Sequence, residues 1–148
     1  MIYTGKTRIA KSILYNVVDN WFLRKAGIVE IMEEIKDKAD EMWQVFKKFA
    51  TLTSSQCETD EKCFEDLGSL LSDVRRLNLR LEKSITNDYI EELYNFISPY
   101  VTGYNVIGAG SGGYIFGYLR KGCDRTQIAD LLQKKYPNAR MSDIKLCV

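Results

Sequence analysis

Two runs of β-branched and aromatic residues, Tyr104 to Ile107 and Tyr114 to Leu119, flank the stretch Gly-Ala-Gly-Ser-Gly-Gly at 108–113. This is strand chemistry on both sides of a loop, and it constrains the fold more than any other feature of the chain. Gly108, Gly110 and Gly113 satisfy the spacing G-x-G-x-x-G. In a dinucleotide-binding unit that spacing joins a strand to a helix whose N-terminus receives the pyrophosphate. Here a second strand follows in place of the helix, and about 35 residues remain after Gly113, too few for the further strands of a doubly wound sheet. The loop is therefore a connection inside a small sheet. Gly110, Gly112 and Gly113 permit positive φ and close backbone approach, and four glycines in six positions exceed what a hairpin turn demands. The excess favours a loop lying against a ligand over one that only turns the chain.

Upstream, the apolar residues keep helical spacing instead. Ile2 to Thr4 is a short extended start, and from Ile9 onward Ile13, Leu14, Val17, Val18, Trp21 and Phe22 define a first helix. A second runs from Ile28 to Phe49, with Ile31, Met32, Ile35, Ala39, Met42, Trp43 and Phe46 on one side and a face dense in Glu, Asp and Lys on the other. Thr51 to Cys63 has no period and reads as a loop. A third helix spans Phe64 to Ile85, and a fourth opens on Asn87 or Asp88 as N-cap and stops near Pro99. The last helix runs from Asp124 to Tyr136, with Asp124 and Gln127 placed like a capping box, and Arg140 to Val148 looks like a final strand. The order of elements gives an α+β plan, a small antiparallel sheet covered on one side by helices.

The 148 residues, 45% of them hydrophobic and 28% charged, suit a single globular domain spanning 1–148. A net charge of +1, with both signs interspersed, argues against nucleic acid or an anionic membrane as partner. The apolar runs are too short for a membrane span, so the expectation is a cytoplasmic protein. Cys57, Cys63, Cys123 and Cys147 make no C-x-x-C pair and read as reduced structural thiols, a Cys57 to Cys63 bridge remaining open for an exported chain. With no histidine at all, Ser-His and Cys-His nucleophiles and histidine-ligated zinc are excluded, and no metal site is expected. Any chemistry falls to carboxylates, Lys, Arg or backbone amides.

Gly5-Lys6-Thr7 copies the end of a phosphate-binding P-loop, but the glycine that motif needs five positions earlier would lie ahead of Met1, and Met-Ile-Tyr-Thr reads as strand rather than as a glycine-rich loop. Lys6 and Arg8 are either solvated charges at a strand end or contacts to phosphate or sugar, Arg pairing well with phosphate oxygens. Trp21, Trp43 and the phenylalanines sit in helical stripes and read as core. Glu33, Glu34, Asp37 and Asp40 on the second helix read as solvation and i,i+4 pairing.

Together these residues carry a resemblance. "NVIGAGSGGYIFGYL" (105–119) resembles the third, C-terminal motif of the GHMP kinase superfamily, a strand followed by G-A-G-x-G-G and another strand. "IYTGKTRIAKSIL" (2–14) is similar to the Y-T-G-x-x-R-x-A segment of sugar kinases in its fucokinase and heptose 7-phosphate kinase branch, and its Gly-Lys-Thr-Arg spelling leans toward fucokinase. The resemblance implies a ferredoxin-like fold, the C-terminal domain of an enzyme that transfers the γ-phosphate of ATP, with Mg2+, to a small sugar. It implies that Gly108, Gly110, Ser111, Gly112 and Gly113 lie beside the ATP phosphates and the sugar, and that Thr4, Gly5 and Arg8, with Lys6 between them, face the same cleft. The superfamily's nucleotide loop and catalytic aspartate belong to an N-terminal domain that has no counterpart here. Phosphoryl transfer depends on positioning and charge neutralisation from both walls of the cleft, so the chain alone is expected not to turn over. The rival reading is a non-catalytic interaction or regulatory domain that keeps this fold.

Overall fold

The computed structural model describes residues 1–7, 10–51 and 61–144. In chain order the elements are β1 (Ile2–Tyr3), α1 (Lys11–Phe22), α2 (Ile28–Ala50), α3 (Glu61–Leu81) and a 3-10 turn (Lys83–Ile85). Then come α4 (Asp88–Ile97), a second 3-10 turn (Ser98–Tyr100), β2 (Val101–Ile107), β3 (Tyr114–Leu119), α5 (Arg125–Lys135) and β4 (Arg140–Met141). The four strands form one sheet in the order β2-β3-β1-β4, and every neighbouring pair is antiparallel. This is the α+β plan expected from the sequence, a small antiparallel sheet, and its strand order is ferredoxin-like, with extra helices between β1 and β2.

The register places Ile2 opposite both Ile115 and Met141, and Val106 opposite Ile115. Ile2, Val106 and Ile115 thus share a face of the sheet. They pack against Ile90, Leu93, Tyr94 and Ile97 of α4, spaced to fall on one helical stripe, and against Leu132 of α5 and Tyr136 at its C-terminal end. Asn87 caps α4 by accepting the Ile90 N–H at 3.0 Å, and Asp124 caps α5 by accepting from the amides of Thr126 (2.7 Å) and Gln127 (3.3 Å). Both caps fall where the sequence places them.

α3 packs along β2 at a seam of two glycines. A Cβ on Gly103 would overlap the Gly68 carbonyl oxygen and lie 2.7 Å from Gly68 Cα. α2 lies outside α3, joined to it by the Phe49–Phe64 ring contact (5.3 Å) and the Glu34–Arg80 ion pair (3.0 Å). Lys36 pairs with Asp40 at 3.2 Å, the i,i+4 contact read on this helix.

Five expectations are corrected. The third helix begins at Glu61 rather than Phe64, so 61–63 are not loop, and the final strand stops at Met141, with 142–144 outside it. The third helix ends at Leu81 rather than Ile85: Glu82 is extended (φ −154°, ψ 114°) and its carboxylate accepts the Ser84 N–H at 2.9 Å, starting a separate 3-10 turn. β2 begins at Val101, directly after Pro99 and Tyr100. The aromatic stripes of the first two helices are not core. Trp43 is 60% exposed, Phe22 73% and Trp21 39%, and of α1 only Ile13 is buried among the described residues. A helical period reports that one side of a helix is apolar, not that another element lies over it. Arg8, Cys57 and the last four residues of the expected final strand, 145–148, lie outside the described residues. No helix among the described residues is long and apolar enough to cross a membrane.

A polar knot ties α3, α4 and β2. Arg75 Nη2 donates to both Glu91 carboxylate oxygens at 2.6 Å, and its guanidinium lies over the Tyr94 ring at 4.4 Å and the Tyr104 ring at 5.6 Å. Burial pushes the Tyr94 hydroxyl up to about 12, with the Arg75 charge opposing part of the rise; burial likewise raises Tyr118 to about 12, helped by Cys63. Folded, both hold their protons where the unfolded chain ionises near pH 10. Their contribution is thus complete below pH 10 and is lost as pH rises toward 12. For Tyr94, 2% exposed, the rise to about 12 corresponds to roughly 2–3 kcal/mol. Chemical denaturation at stepped pH is expected to show this fall, and Tyr94→Phe is expected to remove the Tyr94 part of it, leaving that of Tyr118.

Candidate functional site

The glycine loop 108–113 turns β2 into β3, and two segments grip it. The first is the end of β1. Thr4 N–H donates to the Gly113 carbonyl, and Gly113 N–H to the Lys6 carbonyl, both at 2.8 Å. Thr4 is buried, its hydroxyl 3.3 Å from the Lys6 carbonyl and amide, and its own carbonyl accepts the Tyr89 hydroxyl at 2.6 Å. Burial raises the Tyr89 hydroxyl above its ordinary value, with Tyr136 adding to the effect. The Lys6 ammonium lies 5.3 Å from the centre of the Tyr89 ring and remains exposed.

The second grip comes from the residues leading into α4. Ser111, at φ 58°, donates its N–H to the Ile85 carbonyl, and its hydroxyl reaches the carbonyls of Ser84 and Thr86 (3.2 Å for the latter). Asn87 Nδ2 donates to the Ser111 carbonyl at 3.0 Å while Oδ1 caps the helix. One side chain thus joins the helix N-terminus to the loop. A left-handed serine persists only where its surroundings over-determine it, and four hydrogen bonds do so here.

The glycines divide into two groups. Gly110, at φ +89°, is crowded by Ile85: a Cβ would overlap its carbonyl oxygen and lie 2.6 Å from Cγ2. Gly112, whose φ is not positive, needs to be glycine because a Cβ would sit 2.9 Å from the Lys6 carbonyl oxygen; Gly5, at φ +75°, faces Asn138 Cβ at 2.6 Å. These three make room for the protein itself. Gly108 (φ +81°) and Gly113 (φ +76°) have no atom within 4 Å of an added Cβ. They border open space, beside Ile107 (49% exposed) and Tyr114 (43%), the latter packed on Tyr3 at 5.2 Å.

Eight of the nine residues singled out from the sequence therefore gather in one cluster: Thr4, Gly5 and Lys6 against Gly108, Gly110, Ser111, Gly112 and Gly113. The ninth, Arg8, lies outside the described residues. Tyr89, Asn87 and the carbonyls of 84–86 complete the cluster and carried no sign of it in the sequence. Asn87 was legible only as a helix cap.

No family model matches the chain, and no solved structure matches it. Among curated proteins, it is 26% identical over 114 residues to the bifunctional fucokinase/GDP-fucose pyrophosphorylase of Arabidopsis thaliana, which covers 77% of this chain and 10% of that protein. It is 25% identical over 146 residues to the L-fucokinase/L-fucose-1-P guanylyltransferase of Bacteroides fragilis, covering 99% of this chain and 14% of that protein. The similarity is to fucokinases. The chain spans only a small part of the length of either relative.

Proposed function

We propose that this chain supplies one wall of the catalytic cleft of an ATP-dependent fucokinase-type sugar kinase of the GHMP superfamily. Residues 1–148 are its C-terminal kinase domain, which transfers nothing without the N-terminal nucleotide-binding domain. One observation carries the reading: the two stretches that match kinase motifs, separated by ninety residues in the sequence, are hydrogen-bonded to each other through Thr4, Lys6 and Gly113. The similarity to two fucokinases along 77% and 99% of the chain supports it.

Gly108 and Gly113 leave open space over the loop, the Gly113 N–H and C=O being taken by Lys6 and Thr4, and Lys6 offers an exposed ammonium that suits phosphate and sugar oxygens. The residues of this wall include no carboxylate and do not fit Mg2+, so the metal belongs to the opposite wall and no step is routed through it here. What the wall does is hold and orient: the Lys6 cation fixes phosphate oxygens beside the open face of the loop while the partner domain presents the nucleotide.

The test uses both halves. The purified 148-residue chain, given ATP, Mg2+ and L-fucose in a coupled assay, is expected to show no turnover. Joined to an N-terminal kinase domain of the same type it is expected to turn over, and Lys6→Met to lower kcat/KM about tenfold, or ~1.4 kcal/mol, with stability unchanged. Turnover by the isolated chain, or full activity of Lys6→Met, would refute the reading.

A further inference from the structure

On the kinase reading, on which this role rests, we propose that Tyr89 is the positioning residue of the wall: its ring holds the Lys6 ammonium beside the glycine loop and leaves the charge available to a phosphate group of the nucleotide. A lysine on its flexible four-carbon stem has to give up rotamer freedom before it can hold an anion. At Lys6 the main chain is already fixed. Its carbonyl accepts the Gly113 N–H at 2.8 Å, and its amide donates to the Thr4 hydroxyl at 3.3 Å. What the backbone leaves open is where the ammonium goes. It lies 5.3 Å from the centre of the Tyr89 ring, inside the ~6 Å over which a ring face attracts a cation.

The ring is itself anchored. Tyr89 stands in the first turn of α4, just beyond the cap Asn87. Its hydroxyl donates to the Thr4 carbonyl at 2.6 Å, and its ring meets Tyr136 edge-on with centres 5.9 Å apart. Thr4 is buried, and its N–H donates to the Gly113 carbonyl at 2.8 Å. The platform under the cation is therefore tied to the same strand end and the same loop that carry the cation, so the distance between them is set by the fold and not by the lysine alone.

A carboxylate could hold a lysine as firmly, but it would cancel the charge. Lys36, Lys38 and Lys121 are each paired in that way, whereas among the described residues no carboxylate forms an ion pair with Lys6. An aromatic face attracts the ammonium through its quadrupole and carries no net charge, so the field beyond the cation stays positive. The N–H groups turned away from the ring keep their capacity to donate to phosphate oxygens. Tyr89 acts through Lys6 and does not itself touch substrate.

The role is tested by two substitutions, Tyr89→Leu, which removes the ring face, and Tyr89→Phe, which keeps it. In the joined two-domain enzyme Tyr89→Leu is expected to lower kcat/KM for ATP about two- to fivefold, the worth of one exposed cation–π contact, and Tyr89→Phe to recover most of that loss. In the Lys6→Met background Tyr89→Leu is expected to cost nothing further, a non-additivity that a merely structural role would not produce. In the 148-residue chain alone, NMR is expected to place the Lys6 ε-methylene protons upfield of a free lysine's, by the ring current, in the native chain and in Tyr89→Phe but not in Tyr89→Leu. A free-lysine shift in the native chain, or an equal loss from Tyr89→Leu with and without Lys6, would overturn the role of Tyr89 and leave the kinase reading standing. Full activity of Lys6→Met would remove the kinase reading, and this role with it.

Discussion

Gly103→Ala is expected to be among the most destabilising single substitutions in the chain. The added methyl would overlap the backbone of α3 at Gly68, with nothing but helix and strand main chain to give way. Relief requires moving α3 off β2, which also parts the hydrogen bond from the Thr102 hydroxyl to the Phe64 carbonyl (3.2 Å) and weakens the Arg75 knot. A loss of about 3 kcal/mol or more is expected from such overpacking, against a total stability of roughly 5–15 kcal/mol for a domain of this kind. Gly27→Ala serves as comparison. Gly27 has φ +78° and no atom within 4 Å of an added Cβ, so alanine there bears only the conformational penalty, roughly 1–2 kcal/mol. Urea midpoints followed by far-ultraviolet circular dichroism separate the two. Equal midpoints would mean that the glycine seam does not hold α3 to the sheet.

Gly110→Val is expected to cost a similar amount for two reasons at once: φ +89° is hostile to a β-branched residue, and the space where the side chain would start is filled by Ile85. Ser111 should then lose its carbonyl partners in 84–86, and the loop its fixed shape. Gly108→Ala has the positive φ without the collision, so its stability loss is expected to be about 1–2 kcal/mol. In the joined two-domain enzyme of the proposed function, Gly110→Val should lower both stability and transfer. A fall in transfer from Gly108→Ala beyond its stability loss would mark the open side of the loop as the side that meets substrate. Stability unchanged in Gly110→Val would remove the structural role assigned to that glycine.

Local signals were legible in the sequence, and long-range ones were not. Asn87 and Asp124 announce their helices because a cap acts within one turn. The strand pair around 108–113 is equally local, since aromatic and β-branched runs meet glycines there. The break after Leu81 could not be read: Leu81 and Ile85 continue the apolar stripe of α3, and it is Ser111, distant in sequence, that takes up the Ile85 carbonyl. Trp43 and Phe22 were misplaced for a related reason, because helical spacing describes one helix and burial depends on what lies opposite. At the loop, the glycine excess was read as a ligand signal. Gly110 and Gly112 are explained by Ile85 and Lys6, which leaves Gly108 and Gly113 to carry that reading.

The clamp on Ser111 also sets how the loop can respond. Because Asn87 serves both the first turn of α4 and the tip of the hairpin, the two behave as a single stiff piece. The freedom a glycine-rich turn would otherwise keep is surrendered when the chain folds, so whatever settles on the open side meets a mould already cast and loses no affinity to shaping it. By the same linkage a tilt at the head of α4 reaches the hairpin without slack.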